Sequence, residues 1–373
     1  MKVLMISSDR KIFESGSPVE RRMIEYGALV EKLHIIVFTQ AGEARFENKN
    51  LGRNISVYPT NSKNKWHYVR DAVRIGKALG NIDLVTAQDP FEAGLSAWRI
   101  ARKLKTKLQL QVHTDFLSPF FTRESFLNVL RVRVARFLLP RASCVRVVSE
   151  RIKNSLAVSL GLPVTKITVL PIFTDTKRIR NASVQFDLHR EYPQFDFIVL
   201  MASRLTPEKN IALALRAFQK VVKKYPKTGL VVVGEGRQMH TLGLLATSLN
   251  LQGNIIFGGW QADLISYYKT ADLFLLTSNY EGYGMTLIEA AATGCPIVST
   301  DVGVVGTVIN AENALVCAVG DEICITQSIR RVIENKGLRE RLRTSALAAT
   351  QHMPVRSNEQ YIEKYVQGWQ NCS

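Results

Sequence analysis

The chain has 373 residues, more than one small hydrophobic core organises, so we expect two domains. Hydrophobic residues make up 46% and charged residues 22%, as in an ordinary globular protein. No apolar run approaches the ~18 residues that a membrane-spanning helix needs. The net charge of +17 is uneven: residues 1–180 hold 31 basic and 15 acidic side chains, whereas residues 181–373 hold 18 and 17. The basic half therefore favours an anionic partner, such as a membrane leaflet, a nucleic acid or a phosphorylated acceptor.

Short β-rich runs alternate with helical patterns along almost the whole chain. Strands are predicted at residues 3–6, 34–38, 84–87, 107–112 and 144–148, and again at 197–202, 229–233, 255–257, 273–276 and 297–299. Helices are predicted between them, at 19–33, 93–103, 211–224 and 263–269 among others. Apolar strands that alternate with helices are typical of parallel sheets covered on both faces. The fold class is therefore α/β, with two doubly wound domains facing a cleft at the carboxyl ends of their strands.

The domain boundary is expected near residues 170–175, where a polar segment without a clear period begins and the charge balance changes. We assign residues 1–175 to a basic first domain, residues 176–355 to a second domain and residues 356–373 to a C-terminal helix. Four apolar side chains of that helix share one face: Ile362, Tyr365, Val366 and Trp369. This face is expected to pack back on the first domain.

The five cysteines are scattered and odd in number, and none forms a Cys-x-x-Cys pair. This pattern favours a reduced, cytoplasmic chain without structural zinc.

The most informative segment contains two carboxylates eight residues apart, Glu281 and Glu289. The glycine-containing turn between them leads into a good helix-forming run at residues 286–292, whose N-terminus attracts anions. Glu289 lies about one turn inside that helix among apolar neighbours, where an unpaired carboxylate is costly. A nucleotide-sugar, with phosphate at the helix end and hydroxyls on either side, satisfies every group. The alternative is that both glutamates are solvated.

Other polar residues follow predicted strands, where ligands of doubly wound folds bind. Arg204 and Lys209 could grip a diphosphate, or could simply be solvated surface cations. Gly234 and Gly236 allow close backbone approach to a ligand, although a plain tight turn is as good an interpretation. His113 follows the strand at 107–112, but a lone histidine is more often structural. No Asp-x-Asp segment and no metal-ligand spacing occurs, so we expect no metal and no other cofactor.

In combination these motifs resemble the retaining glycosyltransferases of family 4, which have the GT-B fold of two Rossmann-like domains. The resemblance spans nearly the whole chain, and the Glu-x7-Glu motif from Glu281 to Glu289 is its most specific part. Arg204 with Lys209, the pair Gly234 and Gly236, and His113 occur in the family's order. Residues 88–92 match a common strand-end segment of the family.

The resemblance implies a role for each matched position. Arg204 and Lys209 bind the donor diphosphate, Glu289 holds the ribose hydroxyls, and Glu281 and His113 lie beside the donor sugar. Backbone N–H groups of the turn contact sugar and phosphate, and this set comprises Gly282, Tyr283, Gly284, Met285, Thr286 and Leu287. Gly16 lies close to the phosphates. Residues 16–18 depart from the adjacent glycines of many members, and Gly284 replaces a common proline.

The resemblance also implies transfer with retention and without a metal, from a UDP- or GDP-sugar to an acceptor hydroxyl. A lipid-linked sugar or a glycan is the expected acceptor, as in polysaccharide or glycolipid assembly. A soluble small-molecule acceptor and a non-catalytic binder that uses the basic surface are the alternatives. No nucleic-acid motif is present, so no nucleic-acid partner is expected.

The segment after His113 suggests where the acceptor is met. Aromatic residues including Phe116 and Phe120 precede a predicted helix whose apolar stripe is flanked by Arg131 and Arg133. Arginines at the edge of an apolar stripe suit an anionic membrane surface. We therefore expect peripheral attachment at the cytoplasmic face of a membrane, with an ordinary core-facing helix as the alternative.

Overall fold

The computed structural model describes residues 1–42 and 46–372. The chain divides into two compact units. Unit 1 comprises Met1–Pro171 together with the C-terminal segment from Ser357, and unit 2 comprises Ile172–Arg356. The C-terminal segment therefore belongs to the first unit, although the whole of the second unit precedes it in the chain.

The strands of the described residues are β1 Lys2–Ser7, β2 Lys32–Val37, β3 Lys49–Asn50, β4 Ile55–Pro59, β5 Leu84–Ala87, β6 Lys107–Val112, β7 Cys144–Val147, β8 Ile167–Val169, β9 Phe197–Ala202, β10 Thr228–Val233, β11 Ile255–Gly259, β12 Leu273–Leu276, β13 Ile297–Thr300 and β14 Leu315–Cys317. The α-helices are α1 Pro18–Ala28, α2 Tyr68–Ala78, α3 Glu92–Leu104, α4 Pro119–Arg123, α5 Phe126–Leu138, α6 Glu150–Leu160, α7 Thr176–Asn181, α8 Leu188–Glu191, α9 Ile211–Val222, α10 Met239–Ser248, α11 Leu264–Thr270, α12 Met285–Thr293, α13 Glu322–Glu334, α14 Lys336–Ala349 and α15 Asn358–Gln370.

Each unit is built on one twisted sheet. In unit 1 the strand order is β3-β4-β2-β1-β5-β6-β7-β8, and within the described chain only β3 runs antiparallel to its neighbour. In unit 2 the order is β11-β10-β9-β12-β13-β14, and the paired strands are parallel. Strands such as β9 are buried along their whole length, because helices cover both faces of such sheets. The predicted architecture of two Rossmann-like α/β domains is confirmed.

The strand order of unit 2 reverses direction between β9 and β12. At such a switch point the connections leave to opposite faces of the sheet, and a crevice opens outside the carboxyl ends of the two strands. The loops that follow β9 and β12 therefore define the expected ligand-binding edge of this unit.

The helix α15 packs on unit 1 through the apolar face that the sequence shows. Its buried side chains are Ile362, Tyr365, Val366 and Trp369. Tyr365 stacks on Tyr26 of α1 with ring centroids 4.2 Å apart.

The prediction of a fully reduced chain is wrong for this structure. A disulfide joins Cys144 to Cys372, just beyond α15, and a second joins Cys317 to Cys324; Cys295 is free and buried. The first pair is 228 residues apart in sequence, so no spacing motif could indicate it. It ties the end of the chain to the sheet of unit 1.

Some predicted element bounds were wrong. The helix expected over residues 19–33 ends at Ala28, because the residues from Lys32 onward pair with β1 as strand β2. Four strands were not predicted, namely β3, β4, β8 and β14. Apart from β4 they are only two or three residues long, too short for an alternating pattern.

In the described part of the chain, no helix has both the length and the apolar character that a bilayer crossing requires.

Candidate active site

Hydrogen bonds join the two loops at the switch point of unit 2. The backbone N–H of Asn279 donates to the Glu208 carbonyl at 2.7 Å, and the Thr277 hydroxyl donates to the Lys209 carbonyl at 3.0 Å. Asn210, which has a left-handed backbone with φ of 45°, donates its side-chain amide to Asn279 Oδ1 at 2.9 Å. The loop after β9 is thus held against the loop after β12.

This arrangement brings Lys209 and Glu281 together. Lys209 Nζ lies 2.5 Å from Glu281 Oε1, and the two side chains are only 15% and 12% exposed. The Ser278 hydroxyl donates to the same carboxylate oxygen at 2.7 Å. The family resemblance assigned Lys209 to the donor diphosphate and Glu281 to the donor sugar. The structure shows that the two side chains also form an ion pair with each other. Arg204, by contrast, is 76% exposed and pairs with Glu208 at 3.2 Å.

The turn that follows Glu281 leads directly into α12. Gly284 has φ of +91°, which a residue with a side chain rarely adopts, and it is the last residue before the helix begins at Met285. The Tyr283 carbonyl accepts a hydrogen bond from Val304 N–H at 2.9 Å, and this bond holds the turn against the segment that contains Val304. Thr286 lies in the first turn, where helical N–H groups have no partner inside the helix. The N–H of Leu287 already donates to the Gly284 carbonyl at 3.0 Å, so of the turn residues it is the least suited to phosphate.

Glu289 lies on α12 and meets a residue that the sequence did not single out. The Tyr268 hydroxyl of α11 donates to Glu289 Oε2 at 3.0 Å. Burial raises the pKa of Glu289, whereas the Tyr268 hydrogen bond and the charge of Arg178 lower it. The carboxylate is therefore not unpaired, and the cost expected from its apolar neighbours is reduced by Tyr268.

The glycines Gly234 and Gly236 fit closely against protein backbone. A Cβ at Gly234 would lie 1.9 Å from the Ser203 carbonyl oxygen, and one at Gly236 would lie 2.3 Å from that of Leu205. These close contacts explain, without a ligand, why glycine occupies both positions. The absence of side chains lets the loop after β10 pack directly against the backbone of the loop that contains Arg204.

In unit 1, His113 follows β6 and its Nε2 lies 3.1 Å from Gln111 Oε1. Burial lowers the pKa of His113 to about 3, and the positive charges of Arg146 and Arg22 act in the same direction. The residue is nevertheless exposed to solvent, and water there offsets part of the desolvation. The remaining desolvation and the two positive charges both favour the neutral imidazole at pH 7.

The N-terminus of α1 already holds a carboxylate. Ser17 caps the helix by accepting from the Glu20 N–H at 3.1 Å, and Glu20 Oε2 accepts from the Gly16 N–H at 2.5 Å. Lys49 pairs with the same carboxylate at 2.7 Å. For Gly16 to donate to a phosphate, Glu20 must first release it. Serine followed three residues later by glutamate is a capping-box signal that the sequence analysis missed.

The residues predicted for the acceptor side separate into buried and exposed positions. Phe116 is 1% exposed and packs against Phe91, so its assignment to an interaction surface is wrong. Arg131 pairs with Glu92: its Nε and Nη2 lie 3.0 and 2.9 Å from Oε1. Arg133 is exposed, and Phe120 is partly exposed.

Tyr268 and Ser278 were missed because neither lies in a recognisable motif. Gln111 could have been found, since it lies two residues before His113 on a predicted strand and therefore on the same face. Among the described residues, no group of three or more His, Cys, Asp or Glu side chains could hold a metal ion.

Two family profiles match the chain. Residues 188–348 match the family described as Glycosyl transferases group 1, and residues 24–178 match Glycosyltransferase Family 4. The first match lies within unit 2 and the second mainly within unit 1, so each unit is similar to a glycosyltransferase domain.

Similar proteins with curated names include the alpha-monoglucosyldiacylglycerol synthase of Streptococcus pneumoniae, 28% identical over 61% of this chain and 54% of that protein. Another is a capsular polysaccharide biosynthesis glycosyltransferase of Staphylococcus aureus, 27% identical over 58% of each chain. The chain thus spans little more than half the length of these relatives. Among solved structures, Anabaena HepE in complex with UDP has the same fold, with a TM-score of 0.75, 19% identity and full coverage of both chains.

Proposed function

We propose that the chain is a retaining, metal-independent glycosyltransferase that transfers a sugar from a UDP- or GDP-sugar to a hydroxyl of a lipid-linked or glycan acceptor. The observation that carries the proposal is the Lys209–Glu281 pair at the switch point of unit 2, next to the N-terminus of α12. A cation, a carboxylate and a helix N-terminus at one strand edge suit a ligand with both phosphates and hydroxyls.

We expect the donor to bind this site in the following orientation. The diphosphate lies at the N-terminus of α12, where Lys209 and the exposed Arg204 neutralise it. Glu289, held by Tyr268, accepts hydrogen bonds from the ribose hydroxyls. Glu281 accepts from a hydroxyl of the donor sugar and keeps Lys209 in place.

The reaction then needs stabilisation of the leaving group rather than a covalent enzyme intermediate. The bond between the anomeric carbon and the diphosphate oxygen breaks, and the acceptor oxygen bonds to that carbon on the same face. The acceptor proton passes to the departing phosphate. Cations and backbone dipoles directed at the departing diphosphate lower the barrier.

The similar proteins support an acceptor in glycolipid or polysaccharide assembly, since one is named for a glucosyldiacylglycerol and the other for capsular polysaccharide. The UDP in the HepE structure supports testing UDP-sugars first.

Unit 1 also has a surface suited to an anionic membrane. On α5 the side chains of Phe126, Leu127, Leu130 and Phe137 are exposed by 74%, 42%, 36% and 41%. Exposed arginines lie on or beside the same helix: Arg123, Arg133, Arg136 and Arg141. Apolar side chains that enter a bilayer, with cations at the phosphate level, explain both sets. These features support the proposal that the protein attaches peripherally to an anionic membrane leaflet, with the cytoplasmic face as the side expected from the sequence.

Donor binding is tested by the thermal midpoint of the full chain with UDP, GDP and their sugars, in EDTA. Binding to the folded state alone raises the midpoint. We expect a shift with one nucleotide series, loss of the shift in Glu289→Ala and retention in Lys223→Met, an exposed lysine in the same unit. A shift that requires added Mg²⁺ contradicts the metal-independent mechanism, and no shift with any nucleotide contradicts the transferase.

Membrane attachment is tested by flotation with vesicles of phosphatidylcholine, with and without phosphatidylglycerol. We expect binding to the anionic vesicles only, at low salt, and loss of binding in the double variant Arg133→Glu and Arg136→Glu. The variant Arg331→Glu and Arg341→Glu has the same net charge but alters exposed residues of unit 2, so it should still bind. Equal loss in both variants would refute a specific role for α5.

A further inference from the structure

A continuous row of polar side chains lies beneath α15 in unit 1. Gln109 and Gln111 on β6, and His113 directly after its end, are two residues apart and therefore share one face. Thr86 on the neighbouring strand β5 is directly opposite Gln109 in the strand register. The row ends at the backbone carbonyl of Gly368 in the last turn of α15.

The carbonyl of Gly368 can only accept a hydrogen bond, and this sets the direction of the entire row. Gln109 must donate from Nε2 to that carbonyl, 2.9 Å away. Its Oε1 then faces Thr86 Oγ1 at 3.0 Å, so the threonine hydroxyl donates to it.

The same direction continues to the histidine. The single proton of the Thr86 hydroxyl is used in the hydrogen bond to Gln109, so Oγ1 accepts from Gln111 Nε2 at 3.0 Å. The amide of Gln111 is thereby oriented with Oε1 towards His113 Nε2, 3.1 Å away. An amide oxygen can only accept, so His113 Nε2 carries the proton. The Tyr365 hydroxyl contacts the same amide, 2.8 Å from Nε2 and 3.1 Å from Oε1, and is compatible with this orientation.

We propose that α15 is a positioning element for His113: through Gly368, Gln109, Thr86 and Gln111 it holds the imidazole as the Nε2–H tautomer and leaves the Nδ1 lone pair free to accept a hydrogen bond from a substrate hydroxyl. The catalytic meaning of this arrangement rests on the proposed function, whereas the tautomer does not. Gln109, Thr86 and Gln111 are positioning residues, since each acts on the substrate only through His113.

Two further features favour the same state. Arg146 on β7 is 3% exposed and stacks on Tyr365 with 4.3 Å between guanidinium carbon and ring centroid. Its positive charge near His113 opposes protonation of the imidazole. The Cys144–Cys372 disulfide holds the end of α15 at the strand position that pairs with Gln109.

The test uses the full chain with ¹⁵N-labelled histidine, because two-bond ¹H–¹⁵N correlations distinguish the two neutral tautomers. His113 is assigned among the six histidines by its absence in His113→Asn. We expect the Nε2–H tautomer in the wild type. Thr86→Val removes the relaying hydroxyl while retaining the side-chain shape and should yield a mixture of tautomers; Thr86→Ser retains the hydroxyl and should restore the wild-type spectrum.

Steady-state kinetics give a second readout. Thr86→Val should lower kcat by about 10-fold to 100-fold through misorientation of His113, with the donor KM unchanged, and Thr86→Ser should recover most of that loss. An Nδ1–H tautomer in the wild type overturns the proposal without any variant, as does an unchanged tautomer in a folded Thr86→Val protein. Failure of the proposed function looks different: no transfer occurs with any donor, while the spectrum still shows the Nε2–H form.

Discussion

Removing the charge of Lys209 tests the central feature of the candidate site. Lys209→Met retains the aliphatic part of the side chain but removes the ammonium group that lies 2.5 Å from Glu281 Oε1. Glu281 is 12% exposed and would retain the Ser278 hydroxyl as a donor at 2.7 Å. The substitution therefore leaves a largely buried carboxylate with one neutral hydrogen bond in place of an ion pair.

The expected loss of stability follows from that burial. Breaking a buried ion pair by removal of one partner costs about 3–5 kcal/mol, and the residual exposure together with Ser278 places this case near 3 kcal/mol. For a unit of this size, 1 kcal/mol corresponds to roughly 2–4 °C in the thermal midpoint, so the transition of unit 2 should fall by about 6–12 °C. The double variant Lys209→Met and Glu281→Leu leaves no buried charge and should recover most of this loss.

Differential scanning calorimetry of the full chain measures these changes, with Lys223→Met as the control for a lysine that is exposed in the same unit. A Lys209→Met protein as stable as the wild type would show that the pair is open to water and contributes little. A double variant as unstable as the single one would refute the argument from an unpaired buried carboxylate, because the loss would then arise from packing.

Two further predictions concern other contacts. Tyr268→Phe removes the hydrogen bond that lowers the pKa of Glu289, so the pKa should rise. Because nucleotide binding needs the ionised carboxylate, binding by the variant should weaken at a higher pH than binding by the wild type as the pH falls. Titration calorimetry from pH 5 to 8 measures this, and coinciding wild-type and variant curves would contradict it. Cys372→Ser removes the disulfide to Cys144. The loss of this cross-link should destabilise unit 1 by about 2–5 kcal/mol, measured as a lower calorimetric midpoint. A wild-type midpoint that does not change in reducing agent would show that the bond does not contribute.

Much of the fold follows from local sequence patterns. The apolar strands and the periodic helices appear in the sequence because burial on both faces of a parallel sheet demands continuous apolar runs, as in β9. The buried face of α15 was predicted residue by residue for the same reason, since a helix that packs on one side must repeat its apolar residues every three or four positions. Likewise, Lys209 and Glu281 could be assigned to one edge because both follow buried strands of one sheet.

What the sequence could not specify were the partners of these residues. Tyr268 reaches Glu289 from another helix, Gln109 meets Gly368 across 259 positions, and Cys144 meets Cys372 across 228. Such pairs arise only when strand order and helix packing bring distant segments together, and no local period or spacing encodes them. The sequence by itself determined the chemistry available at the strand ends, whereas the tertiary structure decided which groups hold one another and therefore which of them a substrate can reach.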